Sequence, residues 1–266
     1  TLNAPKGRII EIDLTQPQRT SWKELISENE DTLEHASMVG SKLVLRYLHK
    51  AHNTVRVFDT QGALIHTVDL PNMGAVSGLS GNRASPETYL GFTSYTSPTS
   101  IFKLNVDSGK QEPFWKPKLQ FDPNLYETKQ IFYPSKDGTP IPLFISHKKD
   151  LKITGDTPTL LYGYGGFNIS IKPRFYVSNL VWMEMGGIYA VANIRGGGEF
   201  GEEWHKAGTK HQKQNVFDDF QSAAKWLVAQ GYTQPNRLAI KGRSNGGLLV
   251  GACITQAPQL FGAALP

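Results

Sequence analysis

A serine flanked by glycines late in the sequence has the spacing of a hydrolytic nucleophile. Residues Gly242, Ser244 and Gly246 form a G-x-S-x-G pattern, in which the serine sits on a tight turn between a strand and a helix. The glycines permit strained dihedral angles and remove the Cβ atoms that would collide where strand and helix approach. Such a turn exposes the serine Oγ atom and directs backbone N–H groups at a developing oxyanion. The pattern therefore predicts acyl transfer.

The flanks of this turn decide between a catalytic serine and an ordinary Gly-rich turn, because the five-residue pattern alone occurs in both. Leu238 and Ile240 form an apolar approach to the turn, as a buried strand would. An apolar stretch typical of a buried helix follows it, with Leu248, Leu249, Val250, Ala252 and Ile254. These flanks favour the strand, turn and helix of a nucleophile elbow.

A second stretch, from Tyr162 to Phe167, places Tyr164 between glycines directly after a predicted strand. Lipases and esterases use a Gly-rich loop at this point to supply another oxyanion donor. Here the phenolic O–H of Tyr164 can donate instead. The alternative is that Tyr164 is an aromatic residue packed at a strand end. Phe167 is expected to line an apolar side-chain pocket.

A serine nucleophile needs a general base and an acid that orients it. The order in hydrolases with this elbow is Ser, then Asp or Glu, then His. None of the seven histidines follows Ser244, so we expect both partners beyond Pro266 and an inactive 266-residue chain. His205 and His211 lie in a polar stretch, and assigning either as the base would break this order.

A glycine cluster from Gly196 to Gly201 matches the G-x-G-x-x-G pattern of dinucleotide-binding loops. We do not expect a helix to open at Gly201, and Glu199 would bring a carboxylate into any phosphate site. A tight loop near the active-site rim is favoured instead. We expect neither a cofactor nor a metal.

The composition narrows the possible partners and compartments. The 266 residues carry a net charge of +5, from 28 basic and 23 acidic residues, and no basic run is long enough to indicate nucleic-acid binding. No apolar run has transmembrane length, and no signal-peptide pattern is present. The first residue is Thr1 rather than Met, so the question of a targeting segment before it stays open. The single cysteine, Cys253, favours a buried thiol and a reducing, cytoplasmic compartment.

Residues 1–118 are predicted to be all-β. Short alternating strands recur, and residues 35–39, 43–48 and 54–59 are echoed by residues 75–79, 88–93 and 100–105. Four short strands in every 40 to 50 residues are typical of a β-propeller blade. About two and a half blades fit, so we expect further blades upstream of Thr1.

Residues 119–266 are predicted to alternate strands and helices, after a β-hairpin around residues 135–139. Buried strands are expected at 157–162 and 188–194, and helices at 175–185 and 215–230. Asn215 is the predicted cap of the second helix, and Asp218 and Asp219 are predicted to favour its positive end. This alternation favours a mostly parallel, doubly wound sheet covered by helices on both faces.

Taken together, these stretches resemble the prolyl oligopeptidase family. The matching residues are 132–138, 161–171, 192–199, 204–206, 213–220 and 244–250, and the likeness extends back into the predicted blades. The resemblance implies an α/β-hydrolase domain beneath a seven-bladed propeller that restricts access to short peptides. It also implies cleavage of oligopeptides on the carboxyl side of proline by a monomeric enzyme.

The motifs that match the family imply that Ser244 is the nucleophile. They also imply that the Asn245 N–H and the Tyr164 O–H are the oxyanion donors. Phe167 then lines the proline pocket. Arg243 departs from the glycine that the family typically has before the serine. Two alternatives remain open: a related oligopeptidase with another side-chain specificity, and a truncated, catalytically silent binding module.

Overall fold

The computed structural model of the protein describes residues 2–266. These residues form two compact units. The first, called the β unit here, holds the chain up to Ser94 together with Pro98–Lys118 and Phe200–Glu202. The second, called the α/β unit, holds Tyr95–Ser97, Leu119–Glu199 and Glu203–Pro266.

The β unit consists of three antiparallel sheets. Strands β1 (Ile9–Glu11) and β2 (Lys23–Ile26) form a pair. The second sheet runs in chain order through β3 (Thr32–Val39), β4 (Lys42–His49), β5 (His52–Phe58) and β6 (Leu64–Val68). The third does the same through β7 (Ala75–Gly81), β8 (Glu87–Thr93), β9 (Ser100–Asn105) and β10 (Gln111–Trp115).

The repeat predicted from the sequence is confirmed by these sheets. The echoed stretches fall on β3 and β7, on β4 and β8, and on β5 and β9, which occupy equivalent places in the two four-stranded sheets. Alternate residues of β5 are buried among apolar side chains of both sheets, as Val55 and Val57 illustrate. The alternating apolar residues from Arg8 to Leu14 predict a longer first strand than is present: pairing ends at Glu11, and Leu14 is 87% exposed.

The α/β unit contains one six-stranded sheet. Its strands are β11 (Tyr126–Pro134), β12 (Pro140–Lys148), β13 (Thr159–Tyr162), β14 (Ile188–Ala192), β15 (Leu238–Lys241) and β16 (Ala263–Leu265). The order across the sheet is β11-β12-β14-β13-β15-β16. The predicted hairpin is present as β11 and β12, which are antiparallel, whereas β14, β13, β15 and β16 are mutually parallel.

Four α-helices lie within the described residues of this fold: α1 (Val177–Glu184), α2 (Glu202–Lys206), α3 (Gln214–Ala229) and α4 (Asn245–Gln256). Short 3-10 turns occur at Arg19–Ser21, Pro123–Leu125, Lys210–Gln212, Pro235–Arg237 and Pro258–Leu260. No helix among residues 2–266 has both the length and the apolar character needed to span a membrane.

Helices cover both faces of the sheet, as the alternation of strands and helices predicted. Alternate residues of β14, Ile188 and Ala190, pack in one apolar core with α3 and α4. Tyr189, between them, faces the other way and hydrogen-bonds to Asn179 of α1. The fold is therefore the N-terminal part of a doubly wound α/β hydrolase, preceded by all-β propeller blades.

Two details of the second predicted helix were wrong. The helix begins at Gln214, and the side chain of Asn215 does not cap it but donates to the Ala207 carbonyl. Asp218 and Asp219 lie beyond the first turn of the helix, where a carboxylate would favour its positive end, and Asp219 is instead fully buried and paired with Arg195. The periodic pattern could not show this, since the partner comes from a loop elsewhere in the chain.

The Arg195–Asp219 pair is the centre of a buried polar network. The Arg195 Nε and Nη2 atoms lie 3.0 and 2.6 Å from the two Asp219 carboxylate oxygens. Asp219 also accepts from the Arg195 N–H at 3.0 Å and the Ser135 hydroxyl at 2.5 Å. Asp137, in the turn between β11 and β12, pairs with Arg195 Nη1 at 2.6 Å, and this lowers the pKa of Asp137 to about 2. The network joins the hairpin, the loop after β14 and helix α3.

We expect Asp219→Asn to lower the free energy of unfolding by about 3 to 5 kcal/mol, because it removes the buried counterion of the Arg195 guanidinium and leaves only the solvent-exposed Asp137 paired with it. The measurement is denaturant unfolding of the purified protein. Asp218→Asn is the matched control: this neighbour faces the largely exposed Lys136 at 3.7 Å, and a change within about 0.5 kcal/mol is expected. Equal effects of the two substitutions would contradict the role assigned to the buried pair.

Candidate active site

The candidate nucleophile lies where strand β15 meets helix α4. Ser244 is the residue before the first turn of α4 and has φ 58° and ψ −117°. A positive φ is strained for a residue with a side chain and occurs mainly where the surrounding structure enforces it, often at functional sites. The serine itself is exposed. The structure thus has the strand, sharp turn and helix that the sequence pattern predicts.

The glycines of the pattern are required by close backbone contacts. A Cβ atom at Gly242 would lie 2.0 Å from the Gly246 carbonyl oxygen. A Cβ atom at Gly246 would lie 2.9 Å from the Gly163 carbonyl oxygen, in the loop after β13. Backbone atoms cannot rotate aside as side chains can, so neither position accommodates a larger residue. The spacing of glycines around Ser244 is therefore a consequence of packing.

Sheet topology brings a second loop to the elbow. Strand β13 pairs in parallel with β15, and Tyr162 lies opposite Lys241, so the loops that follow both strands emerge side by side. The other neighbour of β13 is β14, which also follows it in the chain. The order of strands reverses at β13, and open α/β sheets bind their ligands at such a point, beyond the carboxyl ends of the strands.

Tyr164 lies in this second loop, against the start of α4. Its ring Cδ2 atom is 3.7 Å from the Cβ position of Gly246, two residues after the serine. The residue is half-buried. Asn245, the first residue of α4, has its N–H among those at a helix start that lack an intrahelical partner. Ser244, Asn245 and the ring of Tyr164 are therefore brought together beyond the carboxyl ends of β13 and β15.

The side chain of Asn245 fastens the two loops to each other. Its Nδ2 atom donates to the Tyr164 carbonyl oxygen at 2.6 Å. Lys213, just before α3, donates from Nζ to the Gly165 carbonyl at 2.7 Å and to Asn245 Oδ1 at 3.4 Å. The sequence reasoning missed Lys213. The available signal was a lysine at the start of a helix, where a positive charge is unfavourable.

Phe167 follows on the same loop with its side chain 72% exposed. Both Phe167 and Asn168 have φ 56°, so two consecutive residues with side chains take the left-handed conformation. His205 supports this turn: its Nδ1 atom lies 2.8 Å from the Gly196 carbonyl oxygen, which also accepts from the Asn168 N–H at 3.1 Å. His211 lies exposed in the 3-10 turn Lys210–Gln212.

The glycine cluster after β14 is packed into the fold. A Cβ atom at Gly196 would lie 2.7 Å from the Gly165 carbonyl oxygen. Glu199 is 1% exposed and accepts from the Ile171 N–H at 2.9 Å, and a buried carboxylate disfavours a phosphate nearby. One expectation was wrong: helix α2 does open directly after Gly201, although it has only five residues. Within residues 2–266, no cluster of three or more His, Cys, Asp or Glu residues is arranged to hold a metal.

We expect Gly242→Ala to distort the elbow and to lower thermal stability, at a cost of about 1 to 3 kcal/mol or more, because the added methyl group meets backbone rather than a flexible side chain. The check is thermal unfolding of the purified protein.

Gly251→Ala is the matched control. It lies in α4 with nothing within 4 Å of the added Cβ and is expected to be neutral or to stabilise the helix by about 0.5 to 1 kcal/mol. A stable Gly242→Ala protein would contradict the packing argument.

Comparison with known proteins matches both parts of the chain. Residues 2–117 match the family described as prolyl oligopeptidase, N-terminal beta-propeller domain. Residues 173–266 match the prolyl oligopeptidase family itself. Prolyl endopeptidases of Elizabethkingia miricola and Elizabethkingia meningoseptica are each 47% identical over 264 residues. The prolyl endopeptidase of Dictyostelium discoideum is 39% identical over 273 residues.

Solved structures give the same result. A structure from a study of two prolyl endopeptidases superposes with a TM-score of 0.95 at 51% identity, covering 98% of this chain and 39% of that one. Prolyl oligopeptidase B from Galerina marginata, bound to a 35mer hydrolysis and macrocyclization substrate, gives a TM-score of 0.93 at 35% identity and covers 38% of that chain. The match to each Elizabethkingia relative covers 99% of the present chain, which spans only 37% of the length of that relative. On the two family matches, the shared fold and these identities, the chain belongs to the prolyl oligopeptidase family.

Proposed function

We propose that the protein of which these residues are part is a serine endopeptidase that cleaves short peptides on the carboxyl side of proline. The observation that carries the proposal is the strained Ser244, held at φ 58° at the start of α4 beside the loop that bears Tyr164. Peptide substrates are supported by the Galerina marginata relative, solved with a 35mer hydrolysis and macrocyclization substrate. Specificity for proline is supported by the names of the relatives and by Phe167 near the site.

In the proposed reaction the Ser244 Oγ atom attacks the scissile carbonyl carbon, and its proton passes to a general base. The carbonyl oxygen becomes an oxyanion that accepts from the Asn245 N–H and the Tyr164 O–H. The C–N bond then breaks, the amine leaves with the proton, and water hydrolyses the acyl-enzyme. Phe167 contacts the proline ring. The histidine that acts as the base, and the acidic residue that orients it, are proposed to lie outside residues 1–266.

We also propose a division of the chain into two domains. Residues 1–118 form the C-terminal part of a propeller domain, and residues 119–266 form the N-terminal part of the catalytic domain with the nucleophile elbow. We also propose a monomeric, cytoplasmic enzyme. The location is supported by the sparse use of cysteine, since Cys253 is the single cysteine of the sequence and is a free, buried thiol.

We expect a fluorophosphonate probe to label Ser244 in the full-length protein and to leave Ser244→Ala unlabelled. The reason is that only a serine whose nucleophilicity is raised by its surroundings reacts with the probe. The check is mass spectrometry of the labelled peptide. Ser178→Ala, at another exposed serine near a helix start, is the matched control and should label fully. Undiminished labelling of Ser244→Ala would refute the assignment of the nucleophile.

We expect Tyr164→Phe to lower kcat of the full-length enzyme by about a hundredfold to a thousandfold, the usual effect of removing one oxyanion donor. The loss should fall on kcat rather than KM, because the hydrogen bond strengthens as negative charge develops. Steady-state kinetics with a proline reporter peptide measure it, and thermal unfolding checks the fold. Tyr232→Phe, at a half-buried tyrosine stacked on Trp226, is the control. A kcat within about twofold of wild type for Tyr164→Phe would make Tyr164 a packed aromatic only.

A further inference from the structure

Lys213 hydrogen-bonds to both segments that carry the candidate oxyanion donors. Its Nζ atom lies 2.7 Å from the carbonyl oxygen of Gly165, directly after Tyr164. The same atom lies 3.4 Å from Asn245 Oδ1, directly after Ser244. The ammonium group thus bridges the tyrosine loop and the first residue of α4.

Simple electrostatics does not favour a lysine at this place. Lys213 immediately precedes α3, and its ammonium group lies beside the first residue of α4, so it faces the positive ends of two helices. Partial burial also lowers the pKa of Lys213. The two oxygen acceptors offset these costs, because hydrogen bonds to an ionised donor are stronger than those between neutral groups. The position is thus explained by the carbonyl and amide oxygens that it holds.

The contacts form a closed ring. Lys213 donates to Asn245 Oδ1, which orients the Asn245 amide so that Nδ2 donates to the Tyr164 carbonyl at 2.6 Å. The next carbonyl of the loop, that of Gly165, accepts from Lys213 itself. The consecutive carbonyls of Tyr164 and Gly165 are therefore bound by Asn245 and Lys213, which are also hydrogen-bonded to each other. Removing the ammonium group frees one carbonyl directly and removes the constraint that orients the amide holding the other.

The loop is also held by close packing and by backbone hydrogen bonds on either side of these carbonyls, from the Gly163 N–H to the Lys241 carbonyl at 3.4 Å and from the Asn168 N–H to the Gly196 carbonyl at 3.1 Å. A Cβ atom at Gly165 would lie 2.3 Å from the Val216 side chain, and one at Gly166 would lie 2.6 Å from the Asn245 amide. Gly165 has φ 64°, a conformation that glycine adopts without steric cost. The polar ring adds directional hydrogen bonds to the carbonyls of Tyr164 and Gly165.

We propose that Lys213 is a positioning residue for the oxyanion hole: acting through Gly165 and Asn245, it sets the distance between the Tyr164 hydroxyl and the Asn245 N–H. The inference rests on the proposed function and adds a residue to it. Lys213 does not touch the reacting atoms in this account. Misplacement by as little as 1 Å costs catalysis heavily, so the effect of losing Lys213 is kinetic before it is structural.

The first test compares Lys213→Met and Lys213→Arg in the full-length enzyme with a proline reporter peptide. Methionine keeps a long chain without a donor, and we expect kcat to fall about tenfold to a hundredfold, the range for loss of a hydrogen bond to a charged group. KM should stay within about twofold, and arginine should restore part of kcat. Lys148→Met, at another partly exposed lysine that pairs with Glu184 at 3.0 Å, is the control and should leave kcat unchanged.

The second test combines Lys213→Met with Tyr164→Phe in a double-mutant cycle. If Lys213 acts by placing the Tyr164 hydroxyl, Lys213→Met should cost much less once that hydroxyl is gone, within about threefold. Multiplying effects would show that the lysine acts independently and would overturn the inference. If Tyr164→Phe is harmful and Lys213→Met is not, only the inference fails. If Tyr164→Phe has no effect, the proposed oxyanion hole fails and the inference falls with it.

Discussion

The candidate site depends on one close backbone contact, at which the carbonyl oxygen of Gly246 occupies the space that a side chain at Gly242 would need. Because of this contact, α4 starts almost directly after β15 and Ser244 is left with a positive φ. The neighbouring strand repeats the arrangement, since a Cβ atom at Gly163 would lie 2.6 Å from the Phe220 ring. Two adjacent parallel strands thus end next to glycines that close packing requires, and Ser244 and Tyr164 lie beside these glycines.

Helix α3 holds these loops through charged side chains. Lys213, at its start, binds the loop after β13, and Asp219, further along, binds Arg195 in the loop after β14. Loops expose carbonyl and N–H groups that apolar side chains cannot satisfy, and unpaired backbone groups are costly once buried. Charge-assisted hydrogen bonds satisfy them and also fix direction. A helix that belongs to the apolar core on one side therefore also binds the two loops at the carboxyl edge of the sheet.

The sequence predicted features that are encoded locally. The blade repeat is a period of strands, the hairpin is a turn signal, and the elbow is a five-residue pattern with apolar flanks. The sequence could not predict which group pairs with a given charged residue. Asp219 had a sufficient local explanation in the first turns of a helix, yet its burial is decided by Arg195, which pairs with it across a loop. Lys213 was overlooked for the same reason, because its acceptors are a carbonyl and an amide brought near only by the order of the strands.

The order of strands also has a consequence for how the protein folds. Hairpin β11–β12 joins residues close in sequence, whereas β13 is separated in the chain from β14 by α1 and from β15 by α1, β14, α2 and α3. Long-range parallel pairing is slow, because the entropy of closing the loop is lost before contacts compensate for it. The elbow is completed by packing against the loop after β13. The strained serine therefore depends on long-range pairing, because the parallel strands beside it are far apart in the sequence.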